Sequence, residues 1–107
     1  MGQYHKVYNV DKKEMLHAHK LGLGLKLMEQ VGFSRSTADI LFFLLANSDG
    51  RGGGDADKHP LIGRWAGDRI VVQGDYAEPG DPGYIADTSE YQDISGEALK
   101  MLDAVGY

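Results

Sequence analysis

The chain predicts a small α+β domain spanning residues 1–107, an antiparallel sheet packed by two or three helices. Three observations carry that expectation. Tyr4-His5-Lys6-Val7-Tyr8-Asn9-Val10 alternates with the period of a half-buried strand. Ser36 stands three residues before Asp39 at the head of an apolar run to Ala46, the pattern of a capped helix. Ile70-Val71-Val72 is a β-branched run inside the glycine-punctuated stretch Gly63–Tyr76. A chain of 107 residues with 42% apolar side chains can sustain one core.

The elements follow in chain order. In the first strand Tyr4, Lys6, Tyr8 and Val10 share one side, and His5, Val7 and Asn9 the other. Asp11-Lys12 suits a turn, so Lys13–His17 should return as the second arm of a hairpin. Lys20–Val31 carries two periodicities. Leu21, Leu23, Leu25 and Leu27 alternate, but Leu-Lys-Leu-Met-Glu-Gln are strong helix formers and Gly32 is a natural stop. A helix starting near Gly22 or Gly24 is the preferred reading. Thr37–Ala46 reads as a buried helix, with a strand as the alternative because two Phe are adjacent.

Residues 50–60 read as a loop, with Pro60 holding His59 extended. Arg64–Tyr76 should be one long bent strand or a hairpin, with Gly67-Asp68 and Gly74-Asp75 as its bulges or turns. Residues 79–83 form another loop, and Tyr84-Ile85-Ala86 a short edge strand. Gly96–Val105 places Ala98, Leu99, Leu102 and Val105 on one helical face, with Ser95 as cap.

Charge is uneven. Residues 1–48 carry six basic and four acidic side chains, whereas residues 49–93 carry four basic and ten acidic ones. No basic footprint for duplex nucleic acid exists. The acidic middle could face a basic partner, but a solvated surface explains it more simply. The absence of cysteine excludes disulfides and thiolate metal sites. No segment approaches the ~20 apolar residues of a membrane helix, and the cytoplasm is the expected compartment.

Several constellations could carry chemistry. Gly50-Arg51-Gly52-Gly53-Gly54-Asp55 could offer backbone N–H groups to an anion, with Arg51 and Gly53 as contacts. It lacks the Gly-Lys-Ser/Thr ending of a phosphate loop, and Asp55 and Asp57 would repel phosphate. Asp49, Asp55 and Asp57 beside Asn47 could gather oxygens around a hard cation, although the spacing fits no established calcium loop. His17 and His19, two apart, could join His59 or Asp57 around zinc, though a polar hairpin end is the simpler reading. A metal-assisted hydrolase using Asp55, Asp57 and His59 is therefore one alternative. Asp68 and Asp75 are the only carboxylate pair on a credible strand, and their spacing of seven places them on opposite faces.

The richest set is Arg64, Trp65, Asp68, Arg69, Asp75 and Tyr76. Trp65 should fill the core while Arg64 faces out, and Arg69 and Tyr76 combine contact area with directional donors. The competing reading pairs Arg69 with Asp68 or Asp75 to pin a hairpin. The preferred function is a non-enzymatic binding module without cofactor, acting on a protein partner or small anionic ligand through the glycine loop and residues 64–76. A structural homo-oligomer, with part of the 40–46 segment buried in a homodimer, is the remaining alternative.

The stretch Gly63-Arg64-Trp65-Ala66-Gly67-Asp68-Arg69-Ile70-Val71-Val72-Gln73-Gly74-Asp75-Tyr76 resembles a signature of small bacterial and phage proteins. The resemblance extends to Val7–Leu16 and Gly24–Leu27. It implies a phage setting, in which a binding module would inhibit or assist against host defence. It implies no catalytic residue.

Overall fold

A computed structural model describes residues 2–48 and 59–107, and the glycine loop with Arg51, Gly53, Asp55 and Asp57 lies outside the described residues. The fold is α+β. Strand β1 (His5–Asn9) turns into β2 (Glu14–Leu16), helix α1 (Thr37–Leu45) follows, then β3 (Ile70–Gly74), β4 (Gln92–Asp93) and helix α2 (Ser95–Ala104). Among the described residues these strands form one sheet in the order β3-β1-β2-β4. The expected antiparallel sheet holds for β1 with β2 and with β3. Strand β4 instead pairs parallel to β2 over two residues, so the sheet is mixed.

The hairpin forms where alternation predicts it, with Val7 opposite Leu16 and Asn9 opposite Glu14. Its turn is closed by Asn9, whose Oδ1 accepts from the Lys12 amide at 2.8 Å. One face of the sheet carries Val7 and Leu16 into the main core with Ile40, Leu44, Trp65, Ile94, Ala98, Met101 and Leu102. Each such aliphatic side chain contributes roughly 1.5–3 kcal/mol on burial. Tyr8, Met15 and Tyr91 form a second, smaller cluster on the other face, with the Tyr8 and Tyr91 rings edge-to-face at 5.2 Å.

Helix α1 starts as expected: the Ser36 Oγ accepts from the Asp39 amide at 3.2 Å. Ile40 and Leu44, four apart, are fully buried, but Phe42 is 81% exposed. The segment is thus buried on one stripe and not all round. The C-terminal carbonyls of α1 are met by the following coil, with Gly63 N donating to Phe43 O at 3.0 Å and Trp65 N to Leu44 O at 2.9 Å.

Four expectations are corrected. Residues 22–31 are not a helix; they follow a 3-10 turn at Ala18–Leu21, closed by Gly22 at φ 81°, and contain a second at Leu27–Gln30. Gly22 and Gly24 interrupt the run, and Leu21 and Leu25 are buried from an irregular backbone. Within Arg64–Tyr76 only Ile70–Gly74 is strand; residues 64–67 are turns, with Gly63 and Gly67 in the left-handed region. Tyr84–Ala86 is not a strand. The Gln73 side chain mimics strand pairing there, accepting from Ile85 N at 2.7 Å and donating to Ile85 O at 3.0 Å. Ser95 does not cap α2 with its hydroxyl, which accepts from His17 N at 2.8 Å; the Ser95 amide donates to Asp93 Oδ1.

Candidate functional site

Trp65 fills the core and Arg64 is exposed, as expected, but the two side chains leave a turn and their polar ends converge on one carboxylate. Trp65 is fully buried, and its Nε1 donates to Glu14 Oε1 at 2.8 Å. Arg64 reaches the same carboxylate, its Nε lying 3.0 and 3.1 Å from the two oxygens and an Nη 2.5 Å from Oε2. Both side chains leave a turn, not a strand, so the alternation rule does not separate them. Burial pushes the Glu14 carboxyl up, and the hydrogen bonds from Arg64 and Trp65 together outweigh it, holding the group below the usual Glu value. Glu14 was legible: in a hairpin that buries Val7 and Leu16, the residue opposite Asn9 must face inward.

The other charges of this region are joined to the hairpin turn. Asp68 accepts from Asn9 Nδ2 at 2.9 Å and from Lys12 Nζ at 2.6 Å. Arg69 pairs with Asp11, not with Asp68 or Asp75: its Nε and one Nη lie 3.0 and 2.9 Å from Oδ1, and its amide donates to Oδ2. Asp75 Oδ1 accepts from the Tyr4 amide at 2.9 Å. These contacts bind β3 to β1 at both ends. Tyr76 is 56% exposed. Arg64, Asp68, Arg69 and Asp75 are therefore ordered by partners within the chain; Arg64 is committed to Glu14, and Arg69 gives its Nε and one Nη to Asp11.

Among the described residues no three His, Asp or Glu side chains gather to hold a metal ion. His17 and His19 face each other at 5.5 Å between ring centroids, and the His17 Nδ1 accepts from the His19 amide. His59 Nδ1 accepts from the Leu61 amide. His59 also lines a cavity of about 630 Å³ with Asn47, Ser48, Pro60 and Ile62. The other members of the cation and hydrolase alternatives, Asp49, Asp55 and Asp57, lie outside the described residues. No helix among the described residues is long and apolar enough to cross a membrane.

The backbone of β3 offers what its side chains do not. Val10 N donates to Arg69 O and Asp75 N to Tyr4 O, so residues 69, 71, 73 and 75 direct their backbone groups at β1. The N–H groups of Ile70, Val72 and Gly74, and the carbonyls of Ile70 and Val72, point the other way. Among the described residues no strand pairs with that outer edge. No known protein family, characterised protein or solved structure matches this chain.

The edge lies between two surfaces. On one side is a cleft of about 330 Å³ bordered by His5, Val71, Gln73, Pro82 and Tyr84. On the other is an apolar hollow of Leu27, Val31, Leu41 and Val72. Leu27, Val31 and Val72 are 51%, 41% and 48% exposed, which is a large apolar surface for a strand edge to carry into water.

Proposed function

We propose that the protein is a non-enzymatic binding module that engages a protein partner through residues 64–76, with the outer edge of β3 as its contact. The observation that carries this reading is the row of outward backbone groups at Ile70, Val72 and Gly74 beside the exposed Val72 and Leu27. An extended segment added there gains main-chain hydrogen bonds and covers apolar surface in one step. A protein partner is favoured over a small anion because Arg64 and Arg69 already hold Glu14 and Asp11. The resemblance to phage proteins supplies the partner class, a host protein that the bound module would inhibit.

A photoreactive amino acid placed at Val72 tests this in producing cells, with the same group at the exposed Lys100 of α2 as control. Cross-links to protein from position 72 and none from position 100 are expected. Equal labelling from the two positions, or none from 72, overturns the reading.

A further inference from the structure

Resting on that reading of the β3 edge, we infer that without the partner the edge is occupied by a second copy of this chain, paired antiparallel about Val72. Two copies related by a two-fold axis must present the same edge to each other. The ladder parity leaves Ile70, Val72 and Gly74 facing outward. A two-fold axis through Val72 sets Val72 opposite Val72 of the second copy and Ile70 opposite its Gly74. The Val72 pair then exchanges two backbone hydrogen bonds, and each Gly74 N–H donates to Ile70 O of the other copy, while Gly74 O already accepts from Ala77 N at 3.1 Å.

The same register sets Arg69 opposite Asp75 of the second copy, and Asp75 opposite its Arg69. The sequence Arg69-Ile70-Val71-Val72-Gln73-Gly74-Asp75 is therefore charge-complementary to itself when reversed about its centre. Arg69 is able to serve both contacts. Its side chain is 77% exposed, and it meets Asp11 through Nε and one Nη, leaving the other Nη directed elsewhere. Asp75 uses Oδ1 for the Tyr4 amide and retains Oδ2.

Neighbouring registers lose this agreement. Centring on Val71 sets Arg69 opposite Gln73 and Asp75 opposite Gly67, and centring on Gln73 sets Arg69 opposite Ala77 and Asp75 opposite Val71, so no opposite charges face each other. Centring on Ile70 sets Arg69 opposite Val71, and centring on Gly74 sets Asp75 opposite Gln73, with no opposite charges facing. The Val72 register also brings together the two Val72 side chains on the face that carries Leu27 and Val31, so the apolar hollow continues across the axis. It joins the two sheets into one. A partner strand and a second copy then compete for the same backbone groups.

The test uses the full chain and three variants. Sedimentation equilibrium of the purified protein should give the dimer mass at high concentration, with dissociation on dilution. Val72→Pro removes an N–H that faces away from β1, so it should yield a monomer whose far-UV circular dichroism is unchanged. Val72→Cys places the only thiol of the chain at the axis, where Cα atoms about 5.5 Å apart suit a disulfide. It should oxidise to a covalent dimer, whereas Ile70→Cys under the same oxidant should not.

A wild-type chain that is monomeric throughout overturns the inference. So does a dimer in which Val72→Cys cross-links no faster than Ile70→Cys, because that dimer uses another surface. The in-cell cross-links separate the two claims. Labelling of a different protein by position 72 with a monomeric chain defeats self-pairing alone, and labelling of nothing by position 72 defeats both.

Discussion

Replacing Glu14 with alanine removes the acceptor on which Trp65 and Arg64 both close, and the structure allows its cost to be assembled from parts. The Trp65 Nε1 is left in a fully buried site without a partner, which costs about 1–3 kcal/mol. One buried methylene is lost at about 0.8 kcal/mol, before any cavity term. The Arg64 side chain is 42% exposed and rehydrates, so its own loss adds about 1 kcal/mol at most. The total is about 4 kcal/mol, in the range for breaking a buried ion pair.

Glu14→Gln retains an acceptor for the indole and should cost about 2 kcal/mol, mainly the charge-assisted bonds to Arg64. Arg64→Ala should cost a similar amount, and the double variant Glu14→Ala/Arg64→Ala should fall short of additivity by about 1 kcal/mol or more. Urea unfolding followed by the fluorescence of the single tryptophan measures all four. A Glu14→Ala loss below about 1 kcal/mol, or strict additivity in the cycle, refutes the view that one carboxylate ties the turn to the sheet.

Acid should destabilise the fold in two stages. Burial, with Lys6 nearby, depresses the His17 pKa, so the folded state favours the neutral ring; that contribution is complete above the ordinary His value and declines as pH falls below it. The Glu14 and Asp93 carboxyls are depressed despite burial, by Arg64 with Trp65 and by Lys20 with Ser95 respectively, so their contribution is complete above ordinary carboxyl values and lost as pH falls through the folded ones. Thermal melts against pH should show both declines; His17→Asn should remove the first and Glu14→Gln should reduce the second, and melts independent of pH through the acid range contradict this assignment. Two glycines should respond oppositely to alanine: Gly63, at φ 81° with a Cβ position 2.7 Å from Ala46 O, should lose about 2 kcal/mol or more, whereas Gly96 in α2 meets open space and should gain about 0.5–1 kcal/mol. Equal melting shifts for the two would show that left-handed backbone is not what Gly63 supplies.

What was legible in the sequence followed from strong local signals. The β1–β2 hairpin came from alternation, α1 from the Ser36 cap, α2 from its apolar stripe, and the buried Trp65 from its size and setting. Residues 22–31 were misread because helix propensity is a weak prior, and tertiary packing of Leu21 and Leu25 overrides it between glycines. Strand β4 has two residues and no pattern of its own; it exists because β2 offers it backbone groups. The ion pairs of residues 64–69 with residues 11–14 were out of reach, since partners fifty or more positions apart are set by topology and not by neighbouring sequence.

That same topology decides where recognition should be sought. A stretch dense in Arg, Asp, Trp and Tyr invites a reading in which the side chains meet the ligand. Here Glu14 holds Arg64 and Trp65, Asp11 holds Arg69, and Lys12 with Asn9 holds Asp68. Side chains fixed in this way order the strand between them. They hold Ile70–Gly74 extended against β1 and leave its outer backbone unpaired by any described strand. An edge of this kind ordinarily calls for protection by charge, proline or a bulge. Ile70-Val71-Val72-Gln73-Gly74 contains no charged residue and no proline, and its β1 pairing runs in unbroken register from His5 to Asn9. Among the described residues this edge carries none of those protections and is held firmly by β1, which is what the proposed pairing requires.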